Sequence, residues 1–205
     1  FSYVYWNDDS RDREVDRILA RYPQNSLLHS AEIEFISAWG SLPDFNTHFS
    51  LVSQTDYNEL ARIKGWDEVN INHQENAVIV HSDYDFRGGY ADKKVSVELD
   101  DKSKQEFYIT DRRPYKLTNN TNTWTSLVIS DTAFAQLAGV QEPGSLRVLI
   151  VEDQKNSQAL TADLQNVLPD FTWNAYYPEY MRNMEQRGMM MFIGGFLGLV
   201  FLLAT

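Results

Sequence analysis

Apolar and polar positions alternate along this chain in two distinct rhythms. Over residues 28–39, Ala31, Ile33 and Phe35 alternate with Ser30, Glu32 and Glu34, the period-two pattern of a strand with one buried face. Shorter apolar or alternating runs at 1–6, 49–52, 76–81, 125–129 and 171–176 predict further strands. Segments 94–99 and 106–110 flank a charged turn at 100–104 and predict a hairpin. The run LRVLIV at 146–151 is continuously apolar, as expected of a central strand. Helical spacing appears at 12–22, where Val15, Ile18, Leu19 and Tyr22 share a face, and at 156–168, where Leu160, Leu164, Val167 and Leu168 do. Ser53 and Ser130 stand where a hydroxyl caps a helix, opening helices over 53–64 and 130–138 that Gly65 and Gly139 close. Pro178 opens a last helix that continues through Arg187.

Strands interspersed with short helices predict an α+β fold, with mixed sheet or sheets and flanking helices, in one compact body or two lobes. A weak internal repeat bears on that choice. Val52-Ser-Gln-Thr-Asp-Tyr-Asn-Glu-Leu-Ala61 aligns with Ile129-Ser-Asp-Thr-Ala-Phe-Ala-Gln-Leu-Ala138. Each is a strand, a serine cap, then an aromatic and a leucine three apart, so both face the sheet. Two origins fit: a duplicated strand–helix unit around 49–65 and 126–139, or convergence of strand-to-helix turns on one pattern.

The closing stretch, residues 188–205 (GMMMFIGGFLGLVFLLAT), carries no charge. A bilayer-spanning helix takes roughly 20 apolar residues. The pattern therefore predicts a water-exposed domain over 1–187 and the start of a transmembrane helix over 188–205, cut from a larger membrane protein. Gly194, Gly195 and Gly198 form a small-residue face of the kind that lets membrane helices approach closely.

Composition narrows function further. The net charge of −11 disfavours nucleic acid, whose phosphates need clustered Lys and Arg. With no cysteine, disulfides, Cys-based zinc sites and thiol catalysis are excluded. His29, His48, His73 and His81 have no metal-ligand spacing, and no GxSxG elbow or phosphate-cradling glycine loop occurs. The sequence thus predicts no enzyme, no metal and no cofactor. Segment 82–94 (SDYDFRGGYADKK) is the most suggestive. It places Asp83, Asp85 and Asp92 beside Tyr84, Phe86 and Tyr90, a set that suits a cationic amphipathic peptide. A solvated loop with its rings tucked against the domain is the alternative. Arg11, Arg13, Arg112, Arg113 and Arg182 are scattered basic residues, of which the first two and the last are expected near the membrane.

Residues 187–205 resemble the entry into the transmembrane helix that follows the large extracellular domain of bacitracin-type ABC transporter permeases, members of the FtsX-like group in Gram-positive bacteria. Residues 52–65, with Ser53, Asp56, Tyr57, Asn58 and Leu60, resemble a segment of the same domains. The resemblance implies an extracellular domain inserted between transmembrane helices at the bacterial cell membrane, and a separate ATPase subunit. It implies action on peptide antibiotics or their lipid-linked target complexes, resistance, and a partner sensor histidine kinase. It supplies no catalytic residue. Two rivals remain: a protein-docking domain of another FtsX-like permease, for lipoprotein release or control of a wall hydrolase, and a membrane-tethered enzyme.

Overall fold

The computed structural model describes residues 3–6, 9–42, 45–80, 93–115, 117, 125–168 and 173–204. They form an α+β fold with strands β1 (Tyr3–Trp6), β2 (Leu27–Leu42), β3 (Phe45–Ser53), β4 (Asn76–Val80), β5 (Lys93–Glu98), β6 (Lys104–Arg113), β7 (Thr125–Ile129), β8 (Gly144–Val151) and β9 (Trp173–Ala175). The helices are α1 (Asp9–Leu19), α2 (Gln54–Lys64), α3 (Asp131–Ala138), α4 (Gln158–Gln165) and α5 (Tyr176–Ala204).

The nine strands follow the order β3-β7-β4-β6-β5-β2-β8-β1-β9, and β3 also pairs with β2. That extra pairing closes β2, β3, β7, β4, β6 and β5 into a mixed six-stranded barrel. β2 is long enough to serve two partners in succession. Its first half, Leu27 to Phe35, pairs with β8, and its second half, Phe35 to Leu42, pairs with β3 on the opposite side. β5 joins beyond β8, from Trp39 to Ser41, and completes the ring. Closure protects barrel strands that would otherwise present unpaired backbone.

Period-two alternation sorts residues between the barrel interior and its outer wall. Ile36, Ala38, Phe49, Leu51, Ala77, Ile79, Val95, Val97, Phe107, Ile109, Leu127 and Ile129 fill the interior, with Ala133, Phe134 and Leu137 of α3 packed on it. The neighbours Val52, Val78, Val80 and Val128 face outward into a second core. There they meet Tyr57, Leu60 and Ala61 of α2 and Ala31, Ile33 and Phe35 of β2. A third core, between β1–β8 and helices α1 and α4, buries Tyr3, Tyr5, Val15, Ile18, Leu149, Leu160 and Leu164.

The two repeated units are neighbours. β3 and β7 run parallel from Phe49↔Thr125 to Ser53↔Ile129. Ser53 Oγ accepts from Asp56 N at 3.0 Å, and Ser130 Oγ accepts from Ala133 N at 3.2 Å, as the caps predict. Asp131 joins the units by accepting from Thr55 N at 2.9 Å and from Thr55 Oγ1 at 2.8 Å. The aromatic–leucine pairs, Tyr57 with Leu60 and Phe134 with Leu137, are all buried.

Several expected boundaries shift. The first helix begins earlier, at Asp9, and ends at Leu19, ahead of a 3-10 turn at Pro23–Asn25. The expected helix over 156–168 divides into a 3-10 turn at Gln154–Asn156 and α4, because Asn156 bonds both Asp153 oxygens at 2.9 Å and holds the turn tight. α5 begins at Tyr176, with Pro178 in its first turn, where a missing N–H costs nothing.

Candidate functional site

The six residues expected to bind peptide, Asp83, Tyr84, Asp85, Phe86, Tyr90 and Asp92, lie outside the described residues. Their anchors are defined. β4 leads into the segment from Val80, which pairs with Arg113 of β6 and Ser126 of β7. β5 resumes at Lys93, opposite Ile109. Val80, where β4 ends, therefore lies on the barrel rim at the Arg112–Arg113 end of β6. Arg113 is mostly buried there and ion-pairs with Asp111, while its Nε has no hydrogen-bond partner among the described residues.

Residues 52–65, which carry part of the family resemblance, turn out to organise structure. Asn58 is buried on α2 and pairs with the backbone of Val69 as a strand would: its Nδ2 donates to Val69 O at 2.9 Å, and Val69 N donates to its Oδ1 at 2.8 Å. Ile71 N donates to Gln54 Oε1 at 2.6 Å, and Tyr57 OH donates to Asp67 O at 3.3 Å. Trp66 stacks on Tyr115, ring centroids 4.6 Å apart and nearly parallel. Segment 66–71 is thereby fixed against α2 without forming a strand. Burial pushes the Tyr57 phenol up to about 12, so it stays a neutral donor through the physiological range. Asn58→Ala strands two buried backbone groups, and its expected destabilisation is about 2–3 kcal/mol, read from denaturant unfolding.

Asp56, in the first turn of α2, accepts from Glu34 N at 3.1 Å. Burial raises its pKa, and nearby Glu34 and Glu59 add to the rise. The folded protein then binds the proton more tightly than the unfolded chain, so this group's contribution to stability falls as pH rises through its titration. Asp56→Asn is expected to be more stable than the parent at neutral pH, and that advantage should vanish below the ordinary aspartate range. Melting curves across pH measure it.

At the opposite end, β1, β9, α5 and the 154–156 turn make a foot. β1 and β9 are antiparallel, with Tyr3 opposite Ala175. β1 therefore enters the sheet from the side toward which α5 leaves it. The third core braces this corner. Arg147 of β8, with its side chain 15% exposed, donates to Asp16 at 2.8 Å, to Tyr5 OH at 3.2 Å and to Ser30 at 3.2 Å. Tyr5 OH donates in turn to Asp12 at 2.6 Å. Asp12 and Asp16 are one helical turn apart, so this network clamps α1 onto the sheet. Tyr3 OH and Thr161 Oγ1, 3.0 Å apart, tie in α4.

α5 has 29 residues, a rise of about 43 Å, and meets the body chiefly at the 154–156 turn. Its first turns are half-buried, whereas from Met181 onward its described side chains are exposed. Beyond Arg187 the described side chains are uncharged and, apart from the glycines, large, apolar and exposed: Met190 is 74% exposed and Phe192 73%. Residues 188–204 rise about 25 Å, short of the ~30 Å hydrocarbon core of a bilayer. Among the described residues no helix is long and apolar enough to cross a membrane. No cluster of three or more His, Asp or Glu among them could hold a metal ion.

No family model matches the sequence, and no curated protein matches it. Solved structures do. The chain is similar to the extracellular domain of the noncanonic ABC-type transporter YknZ from Gram-positive bacteria, at 7% identity and a TM-score of 0.36, covering 85% of this chain and 98% of that one. It is similar also to the periplasmic region of MacB from Actinobacillus actinomycetemcomitans, at 9% identity and a TM-score of 0.36, covering 90% of this chain and 91% of that one.

Proposed function

We propose that this chain is the extracellular domain of an FtsX-like, bacitracin-type ABC transporter permease, standing on the outer face of a bacterial membrane, with the far end of α5 entering the bilayer. The observation that carries the reading is the foot. β1 enters and α5 leaves on the same side of one sheet corner, and α5 beyond Arg187 exposes a long series of large apolar side chains and no charge. Such a surface is unfavourable in water and favourable in lipid. The resemblance of residues 187–205 and 52–65 to the permeases supports the same assignment. ATP hydrolysis belongs to a separate subunit in this reading, and α5, continuous from the foot into the apolar run, transmits displacement between membrane and body.

The finer role is recognition of cationic or cell-wall-active peptide antibiotics, alone or on their lipid-linked targets, with the outcome relayed to a sensor histidine kinase. The −11 net charge and the carboxylates of 82–94 support it, since they attract cationic peptides. Titrating a cationic peptide antibiotic onto the domain at low and high salt tests this role. Binding that weakens with salt is expected; salt-insensitive binding contradicts an acidic-surface mechanism, and no binding moves the role to mechanical coupling. A docking role for a wall hydrolase or lipoprotein carrier is favoured by one observation. The barrel rim at Val80, where β4 ends, carries Arg112 and Arg113, whose charge opposes a cationic ligand. Isolating the full-length parent from membranes decides between them: a sensor kinase in the complex supports antibiotic sensing, and a hydrolase or lipoprotein carrier supports docking. An ATPase subunit is expected with either.

A further inference from the structure

We propose that the groove between the 154–156 turn and α5 binds the phosphate of an anionic phospholipid headgroup, with Lys155 and Arg187 as its cationic walls. The inference rests on the reading that α5 enters a bilayer. The groove has a volume of about 280 Å³, and Tyr176, Glu179, Tyr180 and Arg187 of α5 line it opposite Lys155. These positions recur every three or four residues, with Arg187 two turns beyond Tyr180, so the groove follows one stripe of the helix toward its apolar part.

Three features make it a phosphate site. The first is charge. Lys155 and Arg187 form no ion pair among the described residues, whereas the one carboxylate in the groove, Glu179, lies 3.9 Å from Arg182. On a body of net charge −11, which anionic lipid repels, two uncommitted cations in one groove form a local exception.

The second is preorganisation. The turn that carries Lys155 is fastened from beneath by Asn25, which is buried and donates to the carbonyls of Glu152 at 3.1 Å and Asp153 at 3.3 Å. Ser157 Oγ donates to Gln154 O at 2.8 Å and closes the turn. Lys155 Nζ sits 5.7 Å from the centre of the Tyr180 ring, which stacks on Tyr176. The ammonium is thus held over the Tyr180 ring, at small entropic cost on binding.

The third is level. Arg187 is the last charged residue before the apolar run. The groove therefore opens where α5 passes from polar to apolar surroundings, the depth of lipid headgroups, where tyrosine is also favoured. Lipid phosphate would then set how deep α5 sits and hold the foot at a fixed angle to the membrane.

The test compares binding of the full chain to vesicles of phosphatidylcholine alone and of phosphatidylcholine with phosphatidylglycerol. The chain is expected to bind both and to prefer the anionic vesicles. Each basic residue near a charged surface contributes about fivefold to such a preference. Lys155→Gln and Arg187→Gln should each lower the preference by about that factor while leaving binding to phosphatidylcholine unchanged. Arg17→Gln, an exposed change of equal charge on α1, should leave the preference intact. Equal affinity of the parent for both vesicles, or equal losses in all three variants, overturns the headgroup site while the membrane reading stands. Failure to bind either vesicle overturns both.

Discussion

Replacing Phe49 by alanine is expected to destabilise the domain by about 3–5 kcal/mol, the usual cost of removing a fully buried ring. Phe49 is 0% exposed at the centre of the barrel. Its strand, β3, is the one through which β2 closes the ring onto β7. Gly40 of β2 makes the room for it: a Cβ built there would lie 2.4 Å from Phe49 Cδ2. That distance makes a second substitution informative. Gly40→Ala alone must displace the ring and is expected to cost about 1–3 kcal/mol. In the Phe49→Ala background the added methyl enters the vacated space, so its cost should fall by about 1 kcal/mol or more. Denaturant unfolding of the two single variants and the double variant measures the coupling. Additive losses would mean that Gly40 and Phe49 do not share a packed interior, and the closed barrel would be wrong.

Leu197→Asp is expected to weaken partition of the chain onto vesicles by about 100-fold or more. An aspartate at the centre of a membrane helix costs about 2.5–3.5 kcal/mol, and the leucine's own favourable transfer is lost with it. Leu197 is 50% exposed on α5 and contributes to no core cluster, so the substitution should leave the fold untouched. Unchanged circular dichroism with lost vesicle binding is the expected pair of results. A variant that binds vesicles as well as the parent would remove the apolar run of α5 from the bilayer.

Much of this architecture is legible residue by residue, and its closure is not. The alternation of Ala31, Ile33 and Phe35 identifies β2 as a strand, but pairing of its two halves with different partners depends on contacts from remote parts of the chain. Nothing local marks Phe35 as the point where β8 gives way to β3. The serine caps at 53 and 130 are readable because capping is a matter of a few adjacent residues. The adjacency of the two repeated units is not, since parallel pairing of β3 with β7 joins residues 76 apart. Asn58 is visible as part of a family-like motif, while its bonds to Val69 emerge only with the fold. Its signal in the sequence is a polar residue on the otherwise apolar face of α2. Arg147 interrupts an apolar strand in the same way, and Asp12 and Asp16, spaced one turn apart, are the partners it needs. The foot combines both cases. The apolar run of α5 is plain in composition, whereas Lys155 gains meaning only from a turn that Asn25 holds against the helix.

Because the chain has no cysteine, a single nitroxide label can be placed at will. The most direct test sets one at Leu197→Cys and one at Glu185→Cys, and compares their collision rates with oxygen and with a water-soluble nickel chelate on vesicles. The account predicts that the label at 197 meets oxygen and is shielded from the chelate, while the label at 185 shows the reverse, placing the boundary between water and lipid near Arg187. Equal exposure of both labels to the chelate would contradict it, leaving α5 in water and the domain without its place on the membrane.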